Sequence, residues 1–286
     1  MKLLMPGAAG LRLPPSSNSP KTRPTLKIRQ REVNSQHILN SAVTPFTPLM
    51  SSDRRHSRDL KEFLMNGSSK SLLRIDSSIR DENSVSRQVA NTFEAAWRAE
   101  NPAGPVHQRE LGLTPLPYLT ELEHTAMFVP VEYRTPEHVT AQARAAVLAD
   151  ELFEADVVLL TAPLYNLGIP ACLKTYLDHV FTDIRLFPGY GITQPLAGRT
   201  VVMVSARGGA YGPGMPLEGF DHAEPYLRRQ FVDLLGCELE EILIDLTMAA
   251  VNPKLAHLTD VADTSLAKAH VRAEQLARGL GDAIAS

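Results

Sequence analysis

The run Asp156-Val157-Val158-Leu159-Leu160-Thr161-Ala162, stopped by Pro163, is aliphatic through its middle and shows no alternation with polar residues. A strand with one wet face alternates. A continuous apolar strand is covered on both faces, as in the middle of a parallel sheet flanked by helices. Shorter versions recur at Ser71-Leu72-Leu73-Arg74-Ile75 and in Thr200–Ser205, and weaker strands are predicted at 106–111 and 239–246. Helical spacing fills the intervals. One helix starts from a cap at Asn83 or Ser84 and runs to about Glu100, with Val85, Val89, Phe93, Ala96 and Trp97 on one face. Others are predicted at about 135–154, from Pro170, at about 219–236 and at about 260–285. This alternation predicts an α/β fold, a three-layer sandwich around a five-stranded parallel sheet.

Charge divides the chain. Residues 1–64 carry 11 Lys and Arg against 4 Asp and Glu, so within a net charge of −3 the remainder holds −10. Prolines scattered among Ser, Thr and basic residues leave that first segment unable to bury enough apolar surface to order itself. Residues 1–66 are therefore expected to be a disordered extension and 67–286 the globular domain. The extension also fits a transit peptide, or a start placed upstream of Met65; a secretory signal is disfavoured because Pro6 interrupts the hydrophobic segment. So acidic a globular part argues against nucleic acid as a partner. The longest uncharged stretch of the globular part, Val157–Leu173, is 17 residues, contains Pro163 and Pro170, and falls short of a membrane span of about 20. Two cysteines, Cys172 and Cys237, suit a reducing compartment, and a cytoplasmic location is expected.

In an open α/β sheet, ligands gather beyond the carboxyl ends of the strands near the switch in strand order. Three unusual loops follow the first, third and fourth strands. After the first, Ser78, Ser84 and Ser86 offer hydroxyls beside a helix start, a setting for a phosphate monoester; an N-cap with solvated serines is the plainer alternative. Neither G-x-x-x-x-G-K-[ST] nor G-x-G-x-x-G is present. After the third, Pro163-Leu164-Tyr165-Asn166-Leu167-Gly168 combines a ring, an amide and open backbone, apt for a flat heterocycle. After the fourth, Ala206-Arg207-Gly208-Gly209 lets backbone approach a ligand closely. No metal-ligand spacing exists among the histidines, for which surface or interface places are expected, and no nucleophile motif is present. Cys172 is expected to act as a small buried hydrophobe. Asp178-His179 is discounted as a dyad because helix neighbours point apart.

With Ser78 and Ser84-Val85-Ser86, Pro163-Leu164-Tyr165-Asn166 and Arg207-Gly208-Gly209 in place, the chain resembles the FMN-dependent NADH:quinone oxidoreductases, or azoreductases, of the flavodoxin-like superfamily over about Ser71–Gly281. Ala206 stands where the family commonly has Ser, and Leu167 where Phe is frequent. The resemblance implies a flavodoxin-like fold and a bound FMN, its phosphate at Ser78, Ser84 and Ser86. It places the ring against Pro163, Leu164, Tyr165, Asn166 and Leu167, and the pyrimidine side near Gly208 and Gly209, with Val85, Ala206 and Arg207 in the same motifs. It further implies NADH or NADPH as donor, ping-pong transfer of two electrons to quinones or azo compounds, and a homodimer. Since a cofactor would carry the redox chemistry, no side chain is expected to be catalytic. Two other classes stay open: an FMN electron carrier without its own substrate, and a hydrolase using Ser78 or Ser84.

Overall fold

The computed structural model describes residues 69–187 and 194–282. The expected extension and its boundary at 66/67 lie outside the described residues. Five strands form one sheet: β1 (Leu72–Asp76), β2 (Val106–Glu110), β3 (Val157–Thr161), β4 (Thr200–Ala206) and β5 (Glu238–Ile244). All neighbours are parallel, in the order β2-β1-β3-β4-β5, with Leu72 opposite both Val106 and Val157. β1 and β3 are buried at every position, because each has a strand on both sides and helices on both faces. The edge strands β2 and β5 carry the polar residues His107, Gln108, Arg109 and Glu238.

Side-chain alternation along the strands divides the interior into two cores. Leu72, Val157, Leu159, Val202, Val204, Ile242 and Ile244 face α1 (Val85–Glu100), through Val89, Phe93 and Trp97. The C-terminal helix closes the same side with Ala269, Ala273 and Leu276. On the other face Leu73, Ile75, Val158, Leu160, Val201 and Met203 meet helical residues including Leu148, Leu152, Leu173, Tyr176, Leu227 and Phe231. Among the described residues the α-helices after α1 are α2 (Glu121–Ala126), α3 (Pro136–Glu154), α4 (Ala171–Val180), α5 (Ala223–Arg228) and α6 (Thr259–Asp282).

The sheet, α1, α3 and the start of α4 at Pro170 match the expected elements within a residue or two. α2 is a difference: a capping box between Thr120 and Glu123 nucleates a short helix in a segment where none is predicted. The expected helix at 219–236 begins only at Ala223 and passes into a π-helical turn over Arg229–Leu234.

Candidate cofactor site at the carboxyl edge of the sheet

The chain leaves β1 toward β2 and returns on the other side to β3, so the loops after β1 and β3 diverge and open a crevice at the switch point. Ser84 caps α1: its Oγ accepts from the Arg87 N–H, and its backbone is extended. This puts Ser84 and Ser86 at the helix start, 2.8 Å (Ser84 Oγ to Ser78 Oγ) and 3.2 Å (Ser84 Oγ to Ser86 Oγ) apart in one cluster. All three serines are buried. The first-turn N–H groups of an α-helix have no intrahelical acceptor, and the dipole there favours an anion.

The loop after β3 is a tight reversal. Tyr165 and Gly168 exchange backbone hydrogen bonds of 3.0 and 3.1 Å, and Asn166 (φ 49°) and Leu167 (φ 70°) occupy the left-handed region. Asn tolerates that region; a leucine there is strained by roughly 1–2 kcal/mol. The Leu164 N–H on the Ala206 carbonyl (3.0 Å) and the His222 N–H on the Leu167 carbonyl (2.9 Å) hold the reversal in place. It projects Tyr165 across the crevice, its hydroxyl 3.3 Å from both Ser78 Oγ and the Ile79 amide.

The loop after β4 is laced to the one after β5. The Thr247 N–H and hydroxyl donate to the Arg207 carbonyl, and the Leu246 N–H donates to the Gly209 carbonyl. A Cβ on Gly208 would come within 2.9 Å of Met248 Cγ, so glycine keeps this wall open.

Two cavities result. The smaller, about 240 Å³, is lined by Ser78, Ser84, Val85 and Ser86, by Pro163, Leu164 and Tyr165, and by Ala206 and Gly208. Arg80, Asn83, Thr247 and Met248 complete it and escaped the sequence reading. Arg80 and Asn83 lie within the serine loop; Thr247 and Met248 follow β5, the strand whose end carried no glycine or hydroxyl cluster to attract notice. The larger, about 960 Å³, lies on the other side of Tyr165 and takes in Asn166, Gly168, Ile169, Cys172, His222 and the segment 115–118. Leu167, Arg207 and Gly209 line neither. The Arg207 side chain is buried on Asp245 (2.7 Å) and Asp221 (3.1 Å), a brace for its loop.

His179 is not at the surface: it is buried, with Nε2 2.9 Å from the Pro117 carbonyl, because its face of α4 packs against the 115–118 segment. Asp178 pairs with Lys174, so Asp178 and His179 do not form a dyad. Cys172 is half-buried, its thiol donating to the Ser77 carbonyl, and burial pushes its pKa up. Cys237 is deeply buried and is pushed up to about 12 by burial. No group of three potential metal ligands occurs among the described residues.

Residues 70–272 match the model of a family described as having a flavodoxin-like fold. A protein of Streptomyces avermitilis named FMN-dependent NADH:quinone oxidoreductase is 41% identical over 216 residues, covering 75% of this chain and 99% of that protein. A protein of the same name from Parafrankia is 39% identical, covering 72% and 96%. Among solved structures, an azoreductase from Bacillus anthracis superposes with a TM-score of 0.63 at 24% identity, covering 73% of this chain and 98% of that one, which shows the shared fold. A family match over most of the globular part, and relatives aligned almost end to end, place the chain: it belongs to the family of FMN-dependent NADH:quinone oxidoreductases.

Proposed function

We propose that this protein is an FMN-dependent oxidoreductase that passes two electrons from NADH to quinones and reductively cleaves aromatic azo compounds. The observation that carries the reading is the smaller cavity, in which three buried serine hydroxyls, a helix N-terminus, an aromatic ring and an unobstructed glycine wall converge.

These residues fit the mononucleotide. Ser78, Ser84 and Ser86 bond one another, forming a ready set of donors for a phosphate, and exposed Arg80 at the rim adds a positive charge. Leu164 and Pro163 supply an apolar face for the ring system, and Tyr165 closes its side. FMN, when bound, supplies the two-electron redox chemistry. The chain's own part is to hold, orient and enclose. Among the described residues, no titratable group lines the smaller cavity apart from Arg80 and Tyr165, so no side chain is assigned a proton-transfer role.

The larger cavity is the proposed place for the nicotinamide and then for the acceptor. Its walls, Ile79, Leu116, Pro117, Tyr118 and Ile169, are apolar and suit a flat aromatic molecule. We further propose that the enzyme works as a homodimer. Tyr118 is 80% exposed and Phe128 59%, with Val131 and Tyr133 also exposed nearby in sequence, a surface that burial against a second copy would satisfy. No helix among the described residues is long and apolar enough to cross a membrane, and a cytoplasmic location is part of the proposal.

An absorbance spectrum and a kinetic assay test the reading. The purified protein is expected to be yellow, to release FMN on denaturation, and to oxidise NADH with a benzoquinone. A protein that neither carries nor takes up FMN would refute it, and turnover of a phosphodiester without flavin would favour the hydrolase. The serines are tested by Ser84→Ala with Ser86→Ala: each lost hydrogen bond to a charged oxygen is worth about 1.5–3 kcal/mol, read as weaker FMN retention.

A further inference from the structure

Behind the serine loop lies a charged cluster that reaches no cavity. Arg87 follows Ser86 directly and is buried; its guanidinium turns away from the cavity. Nη2 donates to the Ser78 carbonyl at 2.9 Å, and Nε donates to the Arg80 carbonyl at 2.9 Å. Nη1 and Nη2 also grip Glu110 in a bidentate pair of 2.6 and 2.7 Å. Glu110 Oε1 in turn accepts from the Gly112 and Leu113 amides, at 2.8 and 3.0 Å. One planar group thus ties together the loop after β1 and the loop after β2.

We propose that Arg87 is the positioning residue of the phosphate-binding turn, fixing Ser78–Arg80 from behind and joining it through Glu110 to the 112–118 segment that walls the larger cavity. The inference rests on the placement of the FMN phosphate at the serines.

The charge of Arg87 is already matched. Glu110 holds its guanidinium protonated, and Asp76 lies 3.5 Å away, itself paired with Arg74 at 2.7 Å. Arg74, Arg87, Asp76, Glu94 and Glu110 together carry more negative than positive charge, so the cluster is no long-range attractor for a dianion. Its contribution is shape. Fixing the carbonyls of residues 78 and 80 on one rigid fork sets the 78–79 and 80–81 peptide planes. That orients the Ser78 hydroxyl toward Ser84 and the Ile79 amide toward Tyr165. A lysine, whose three donors radiate from one nitrogen, cannot reproduce four contacts spread over Nε, Nη1 and Nη2.

Gly112 bears independently on the same joint. A Cβ there would stand 1.9 Å from the Ser78 carbonyl oxygen and 3.2 Å from Arg87 Nη2. The two loops therefore touch backbone to backbone, with the guanidinium filling the space behind them.

Riboflavin, which shares the ring system and lacks the phosphate, separates this role from general stability. Titrations of the apoprotein with FMN and with riboflavin, followed by flavin fluorescence, are compared for wild type, Arg87→Gln and Glu110→Gln. Arg87→Gln is expected to weaken FMN by about tenfold or more, the scale of one charge-assisted hydrogen bond, and riboflavin by less than about twofold. Glu110→Gln leaves the guanidinium on both carbonyls and is expected to shift FMN in the same direction by a smaller factor. It decides the matter if Arg87→Gln does not fold. Equal weakening of both flavins, or unchanged FMN affinity, would overturn the assignment. A wild-type protein that binds riboflavin as tightly as FMN would instead overturn the phosphate placement itself, and the clamp with it.

Discussion

At the residue scale, the titration of Glu110 reports on the joint between the loops. Burial pushes its carboxyl up, but the Arg87 guanidinium and the Leu113 and Gly112 amides outweigh burial, and the net pKa is lowered. A carboxylate depressed in the folded state adds stability that is present above its unfolded pKa and is lost as pH falls through the folded value. Melting temperature should therefore be lower in Glu110→Gln than in wild type at pH 7. The gap should close as pH drops below about 4, the ordinary carboxylate range. A gap independent of pH would show that shape, not charge, explains the difference. The sequence exposed the serines and Tyr165 because their chemistry is unusual where it stands. It did not expose the role of Arg87: the Ser78 and Arg80 carbonyls, though near in sequence, carry no side-chain signal, and Glu110 is joined to it only by the return of the chain through β2. Asn166 and Leu167 illustrate the same limit, since their left-handed backbone follows from a reversal closed by Gly168 and is not written in residue type.

At the scale of elements, the central strands were legible because burial on both faces forces an uninterrupted apolar run, and α1 because its inner face repeats at helical spacing. Phe93 lies in that face, fully buried, its ring 6.1 Å from that of Trp97. Phe93→Ala should lower unfolding free energy by about 3–5 kcal/mol, since the cavity left between α1 and the sheet cannot collapse; urea denaturation measures it. A loss under about 1 kcal/mol would mean the sheet repacks. α2 and the π-helical turn were less legible. α2 is too short for periodicity and rests on its capping box, and the π turn depends on backbone bonds between residues more than four apart, which no pattern of side chains announces.

At the scale of the whole molecule, both cores and the described walls of the two cavities are assembled from residues 69–282. Deleting residues 1–64 should accordingly leave melting temperature and NADH oxidation unchanged; a marked fall in either would show that the basic segment contributes to the enzyme. Tyr165 faces both cavities, one ring serving as a party wall between two rooms. Selection cannot enlarge one room there without shrinking or unsealing the other, so descendants of this enzyme that learn to take bulkier oxidants must change elsewhere. The freedom lies at Leu116 and Ile169, which border the larger room and not the smaller, and a directed-evolution library is best spread over those two positions.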